Sequence, residues 1–497
     1  MKKIRYLIIK RLEPGSHINF FTKGFVLVEI DKGILRGKNA TTWQGDRYLS
    51  FKGIPYAKSP IGELRFKAPR EEEAWSGVRD AVDHGEICPQ VDMVFKILRG
   101  QEDCLFLNVY TPSLEAGRLP VMVWIHGGMF ILGSGNDEIY GPDYFVGAGV
   151  VLVTFNYRLG ALGYLSTEDD GAPGNAGLKD QVAVLRWIRR NIAKFGGDPD
   201  NVTLFGGSSG AVCVHYHLLS PMSTGLFAKA IAQSGSALNP WALSENGAEV
   251  TIRLAKALGA KNIAGDTFRA LEFLKTARYT DILMAQETLT TAAEERMRIA
   301  FLFTPTVEKR IKSEEVFLPD SPLRILESGN FNKVPYITGY TSHEGYFFMS
   351  ELERPEMMNA ATQDTERFVP NDIKDKRIRN DIAKSIRKFY FEDKPVAFAN
   401  ISNLVNLYSD ATFNSGLIRA TRLHLKSTNR PTYFYVFSYD GSINTLKFGL
   451  TGAVHGDELG YLFHHKLLFW RTPAGRSSSD YILQTMIRLW TNFGKYG

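Results

Sequence analysis

Val202–Thr203–Leu204–Phe205–Gly206–Gly207–Ser208–Ser209–Gly210 is the stretch from which the rest of the chain can be placed. Four β-prone residues run into Gly-x-Ser-x-Gly, and Ala211, Val212 and Cys213 open a segment of helical character. Strand, tight turn and helix in that order form the setting of a nucleophile elbow. The glycines two residues either side of the serine have a steric reason. The serine backbone is forced into a strained turn, and side chains at those positions would clash with neighbouring strand and helix. The hydroxyl is then held clear of the sheet at a helix N-terminus. The pentapeptide alone also fits a Gly/Ser-rich loop, so its meaning depends on what surrounds it.

The composition allows a large core. Of 497 residues, 44% are hydrophobic and 12% aromatic, enough for two or three average domains or for one large α/β domain with insertions. The net charge of +6 is modest against 59 basic and 53 acidic residues, and no block of like charges resembles a nucleic-acid-binding tail. Three cysteines are too few for a disulfide scaffold, and no Cys-x-x-Cys or His-x-x-x-His points to a metal. The N-terminal segment, Met1 to Asn19, carries Lys2, Lys3 and Arg5, then only Tyr6 to Ile9 before Lys10 and Arg11. That apolar run is too short for a signal-peptide core, and no stretch approaches a membrane span. A cytoplasmic chain is therefore expected. The basic, partly apolar segment suits peripheral contact with a membrane surface, against the plainer reading of a frayed helix.

Short apolar runs at Pro120–Ile125 and Val150–Phe155 are of the kind found in strands buried on both faces. Val202 to Phe205, Ala228 to Ala232, Val334 to Tyr340 and Tyr433 to Ser438 continue the series, with a helix predicted around Gln181 to Ile192. Before them, Phe25 to Ile30 and Gly33 to Arg36 read as a hairpin, and the Gly/Pro-punctuated run from Phe51 to Phe66 as ordered loop. Strands alternating with helices predict an α/β architecture, a largely parallel sheet covered on both faces. Functional residues then collect on loops at the carboxyl ends of strands. Asn239 to Thr304 and Ser350 to Asn429 lack the alternation and read as helical, cap-like insertions. No internal repeat or low-complexity linker divides the chain, so residues 1–497 are read as a single domain.

An ester or amide hydrolase needs a nucleophile, a base, a group to orient the base, and donors for an oxyanion. Ser208 is the candidate nucleophile. His126–Gly127–Gly128–Met129 directly follows a predicted strand, and its glycines let successive N–H groups converge, with the Ser209 N–H completing the hole. Glu344 follows the strand ending at Tyr340, and His455 lies in Val454–His455–Gly456–Asp457–Glu458. Any one of these residues is more often a turn, surface or capping group. The order serine, acid, histidine after successive strands is what makes the set. His215 and His217 are carried away from Ser208 by the helix that leaves the elbow, and His343 adjoins Glu344. Asp457 and Glu458 stand too close to His455 in sequence to orient it, and are read as capping or pairing locally.

The chain resembles the carboxylesterase–cholinesterase family, the type-B carboxylesterases, and is most similar to the insect α-esterases. The resemblance rests on Phe51 to Phe66, Glu102 to Pro112, Val121 to Gly133, Asn156 to Gly163, Gly174 to Gln181, Phe195 to Asn201, Gln233 to Ser236 and the loops around Glu344 and His455. It implies an α/β-hydrolase fold and a Ser208–His455–Glu344 triad working without a cofactor. It also implies oxyanion donors at Gly128, Met129 and Ser209, an acyl pocket near Trp241 and Phe301, and a place for Tyr140 on the gorge wall. Cys88 and Cys104 match a pair that is bridged in secreted relatives; a cytoplasmic chain can keep such a pair reduced, so the resemblance leaves both states open.

The sequence departs from the family pattern in three places. Gly207 stands where the family usually has glutamate, and Met129 where it usually has a third glycine. The chain stops at Gly497, where relatives carry further sequence including a terminal helix. The implied activity is hydrolysis of apolar or lipid-like carboxylic esters through an acyl-enzyme. The reading from another class is a catalytically weak homologue that sequesters hydrophobic esters or serves as an adhesion-type module.

Overall fold

The computed structural model describes residues 24–92, 96–292, 294, 301–309, 314–349, 358, 360–361, 363–370, 372–392, 401–444, 451–466 and 477–497. The expected N-terminal membrane contact, Met1 to Asn19, lies outside the described residues. Thirteen strands are present among them: β1 Phe25–Ile30, β2 Gly33–Thr41, β3 Arg47–Pro55, β4 Val78–Asp80, β5 Gln90–Val91, β6 Leu98–Arg99, β7 Phe106–Thr111, β8 Leu119–Ile125, β9 Val151–Phe155, β10 Gly197–Gly207, β11 Lys229–Gln233, β12 Tyr336–Thr341 and β13 Thr432–Phe437. The main sheet runs β1-β2-β3-β7-β9-β8-β10-β11-β12-β13, with β4 beside β2. From β9 to β13 every neighbour is parallel. From β1 to β9 along that order the pairs are antiparallel, a flank the strand–helix alternation does not announce.

Why the central strands are continuous apolar runs is visible in their side chains. Val121, Val123 and Ile125 of β8 enter one core cluster, and Met122 and Trp124 the other. The same period of two divides Val202 and Leu204 from Phe205 in β10, and Ala230 and Ala232 from Ile231 in β11. On the first face lie the helices Ala176–Asn191 and Ser209–Leu219. On the second, the helix Ser478–Tyr496 lays Leu483, Met486, Ile487, Trp490 and Phe493 against the sheet, the three-and-four spacing of an amphipathic stripe.

The helix expected around Gln181 to Ile192 begins five residues earlier, at Ala176. Asn175 before it holds φ 57° and is fixed by Nδ2–H donation to the Thr306 carbonyl and Glu308 Oε1, both at 2.7 Å. The run from Phe51 to Phe66 is ordered but is not all loop: Phe51–Pro55 are the end of β3, and the loop begins after them. Arg65 forks onto Glu102 at 2.7 and 2.6 Å and donates to the carbonyls of Leu274, Lys275 and Ala277. The second insertion is helical over Lys376–Phe391, Ile401–Ser409 and Ser415–Ser427. It has a core of its own around Phe368, Phe391, Leu404 and Tyr408.

Candidate active site

Parallel pairing brings four strand ends to one edge. Gly206 pairs with Ile125, Gly207 with Gln233, and Gln233 with Gly339, so the loops leaving β8, β10, β11 and β12 emerge together. From β10 comes Ser208, at φ 58° and ψ −127°, ahead of the helix that starts at Ser209. A non-glycine residue at positive φ is strained, and here the turn is over-determined by its neighbours. The Ser208 N–H donates to the Gln233 carbonyl at 2.8 Å. A Cβ on Gly210 would stand 2.1 Å from the Ile125 oxygen, and one on Gly206 would stand 2.6 Å from the Gly210 oxygen. Both flanking glycines are required by contact. Gly207 is different: its φ is ordinary, and a Cβ there would meet Trp124 Cη2 at 3.3 Å.

From β12 comes Glu344, fully buried. Its Oε1 accepts from the Ser234 hydroxyl at 2.5 Å and the Thr341 N–H at 2.7 Å, while Oε2 lies 2.5 Å from His455 Nδ1. With Nδ1 engaged, Nε2 is the ring nitrogen left to exchange a proton with a nucleophile. His455 is itself buried, between the rings of Phe413 at 4.6 Å and Phe347 at 5.2 Å. Burial works against its charged form, but the Glu344 charge and hydrogen bond outweigh it and hold the imidazole pKa above its ordinary value.

From β8 comes the loop His126–Gly127–Gly128–Met129. Gly128 has φ 119°, and a Cβ on it would be 2.2 Å from the Leu132 oxygen, so this glycine is required too. Its carbonyl caps the turn by accepting from the N–H groups of Ile131 and Leu132, both at 3.0 Å. Met129 holds φ 60° and Phe130 φ 63°, the left-handed region that favours glycine. The Phe130 N–H donates to Ser209 Oγ at 3.4 Å, tying this loop to the elbow. Among the described residues no acceptor is bonded to the N–H groups of Gly128, Met129 or Ser209.

Trp241 and Phe301 do meet, their rings edge-to-face at 6.5 Å, and Trp241 continues to Phe413 at 5.8 Å and Phe130 at 6.3 Å. Phe413 is the ring that covers His455, so an aromatic wall runs from His455 to Trp241. Tyr140 is placed apart from that wall, buried against Trp124 and Phe463, each at 5.2 Å. His215 and His217 are indeed turned away: one accepts from the Ala237 N–H, and the other lies between Ser223 and Gln181.

Three residues escape the reading of the sequence. Ser234 occupies on β11 the place Ser208 occupies on β10, a signal available only once the register is known. Phe413 lies in the helical insertion, where nothing in the pattern marks it. Glu458 is not confined to the local role expected of it: it reaches across the sheet to accept from Gln233 Nε2 at 3.2 Å, and its Oε2 is without a partner among the described residues. Burial and the Glu344 charge push its pKa up to about 7. Asp457 does act locally, accepting from the Val454 N–H at 2.7 Å.

Comparison with known proteins agrees with this architecture. The model of the carboxylesterase family matches residues 25–497. A juvenile hormone esterase of Tribolium castaneum is 36% identical over 96% of this chain and 84% of its own length. Venom carboxylesterase-6 of Apis mellifera is 34% identical over 86% of this chain and 78% of its own. The crystal structure of juvenile hormone esterase from Manduca sexta, with OTFP covalently attached, superposes with a TM-score of 0.83 at 30% identity, covering 95% of this chain and 90% of that one.

These relatives overturn the cytoplasmic expectation. That expectation rested on the N-terminal residues alone, whereas the relatives, a venom enzyme among them, point to an extracellular location. Cys88 and Cys104, whose state the sequence leaves open, form a disulfide. The elbow, the buried acid–base pair and the match over nearly the whole length lead to one conclusion: the chain is an α/β-hydrolase that belongs to the carboxylesterase family and hydrolyses carboxylic esters.

Proposed function

We propose that Ser208 is the nucleophile, His455 its base and Glu344 the group that orients and charges the base. The observation that carries this is the 2.5 Å bond between Glu344 Oε2 and His455 Nδ1, at the same sheet edge as a serine held at φ 58°. His455 Nε2 takes the Ser208 proton as Oγ attacks the ester carbonyl. The N–H groups of Gly128, Met129 and Ser209 hold the oxyanion, and the imidazolium returns the proton to the departing alcohol. Water then enters by the same route and frees the acid. The positive φ of Met129 supports its N–H as a donor there, since the backbone holds the turn a glycine would take.

The substrates are apolar or lipid-like esters. The wall of Phe130, Trp241, Phe301 and Phe413 supports this, as does the activity named for the Tribolium and Manduca relatives. A protein that only sequesters such esters has no use for a buried carboxylate bonded to an imidazole, so the binding-module reading is not favoured. An organophosphate tests the assignment. Intact-mass analysis is expected to show one covalent adduct, absent in Ser208→Ala. An adduct that persists in the alanine variant places the nucleophile elsewhere.

A further inference from the structure

The hairpin of β5 and β6 sends a side chain to the far end of the loop that leaves β8. Gln90 pairs in register with Arg99, and the Cys88–Cys104 bridge ties the residues just before it to the segment that enters β7. Gln90 is buried, and its amide is used three times. Oε1 accepts the Gly133 N–H at 2.8 Å, while Nε2 donates to the Gly133 and Cys88 carbonyls, both at 2.9 Å. Turned over, the amide would set nitrogen against an N–H and oxygen against two carbonyls, so the network fixes its orientation. Gln90 thus holds the peptide groups on both sides of the Gly133 Cα.

Gly133 in turn packs on the oxyanion loop. It has φ 114°, and a Cβ on it would stand 2.3 Å from His126 Nδ1 and 2.6 Å from the Gly127 oxygen. The Leu132 carbonyl, in the same peptide as the Gly133 N–H, is the one that lies against Gly128. The Gly127 carbonyl also accepts from His126 Nδ1 at 2.8 Å. Burial pushes that imidazole down to about 4, so the ring is neutral and carries its proton on Nδ1. In a planar trans peptide the C=O and N–H point in opposite directions. Fixing the Gly127 carbonyl therefore fixes where the Gly128 N–H points. The loop has need of such a hold, because Met129 and Phe130 keep positive φ, a strain that persists only where the surroundings over-determine the backbone.

We propose that Gln90 is a positioning residue for ester hydrolysis. By clamping Gly133 it keeps the peptides at Gly127–Gly128 and Leu132–Gly133 in the orientation that aims the Gly128 and Met129 N–H groups at the oxyanion. This rests on the reading of those groups as oxyanion donors. Gln90 acts through the loop and not on the ester.

The test is Gln90→Met, which keeps the length of the side chain and removes donor and acceptor together. Misplacing a catalytic group by about 1 Å costs roughly 100-fold. A fall in kcat of about 10- to 100-fold is expected, with KM changed less than about threefold. Gln90→Glu, which loses the donors and keeps the shape, carries the same expectation should the methionine variant fail to fold. An alkyl trifluoromethyl ketone reads the oxyanion directly, since the serine Oγ adds to its carbonyl and leaves the oxygen as an anion in the hole. Its affinity is expected to fall by the same factor as kcat/KM. The pH midpoint of activity, set by His455 and Glu344, is expected to stay in place, which separates a displaced donor from a loosened site. Parent-like kcat overturns the proposal, as does a fall in kcat with unchanged ketone affinity or with a shifted midpoint. Gly128→Ala, which crowds the loop itself, tells two failures apart. If it spares ketone affinity, the loop is not the oxyanion site and both readings fall. If it abolishes that affinity while Gln90→Met does not, the clamp alone is wrong.

Discussion

The two loops that meet at Ser208 are built on opposite terms. On the acid side, Glu344 is fully buried and takes three hydrogen bonds from three different residues, each at 2.7 Å or less. On the oxyanion side, the loop is held through its backbone, the Phe130 N–H donating to Ser209 at 3.4 Å and the Phe130 and His126 carbonyls accepting from the Gly160 N–H at 2.7 Å and the Tyr157 hydroxyl at 2.8 Å, with two consecutive non-glycine residues at positive φ. One half is over-determined and the other strained. Substitutions on the first are expected to lower turnover for every ester, and substitutions on the second to tune it.

The largest effect is expected from Glu344→Gln, which keeps the shape and removes the charge. Turnover should fall by about 10³–10⁴-fold with little change in KM. The pH profile should move as well. In the parent, activity is lost as pH falls through the His455 pKa, which lies above 6.5 because of Glu344. Without that charge, burial is the largest influence on the imidazole and the midpoint should drop below 6.5. Near-parental turnover, or an unmoved midpoint, would break the comparison at its rigid end.

Ser234→Ala removes one of the three donors and leaves Glu344 charged. A buried hydrogen bond to an ion is worth roughly 1.5–3 kcal/mol, so a loss of about 10- to 100-fold in kcat is expected, with the profile shifted less than in Glu344→Gln. If Ser234→Ala is silent, the carboxylate is not held by its side-chain partners.

Met129→Gly probes the strained half. Releasing a left-handed methionine should stabilise the fold by about 1 kcal/mol, read as a rise in Tm. It should also raise kcat/KM several-fold for bulky esters and least for acetates, the pattern expected of a side chain that takes volume beside the proposed oxyanion donors. A large gain uniform across esters would instead implicate the Met129 N–H itself, whose full loss is worth about 3–4 kcal/mol.

The smallest effect is expected from Glu458→Gln. Glu458 ionises near pH 7, and its charge, like that of Glu344, raises the His455 pKa. Removing it should move the activity midpoint to lower pH by less than about one unit, with the plateau unchanged. A lowered plateau would give Glu458 a part in the chemistry.

Much of the site is legible in the sequence. Gly206, Ser208 and Gly210 announce a turn whose crowding is steric and local, and Glu344 follows β12, whose near-continuous burial makes it readable, whereas His455 comes after β13, an edge strand with exposed Tyr433, Phe434 and Val436. The residues that are not legible depend on pairing at long range. Ser234 acquires its role only when β11 lies between β10 and β12, and Gln233 and Glu458 meet across 225 residues. Phe413 is one ring among many in an insertion with no alternating pattern. The antiparallel flank is likewise a matter of strand order, which local propensity does not encode. Location is misread when it is judged from a terminal segment rather than from the folded chain.

The helix Ser478–Tyr496 has a consequence in time. Its Trp490 indole donates to Gln233 Oε1 at 3.1 Å, and the Gln233 carbonyl accepts the Ser208 N–H. On the ribosome, Ser208, Glu344 and His455 are all made before Trp490. A nascent chain that has emerged as far as His455 thus carries the proposed triad but not the indole that bonds the Gln233 side chain. The hydrogen bond that closes on the Gln233 side chain therefore forms only once the helix Ser478–Tyr496 has been made.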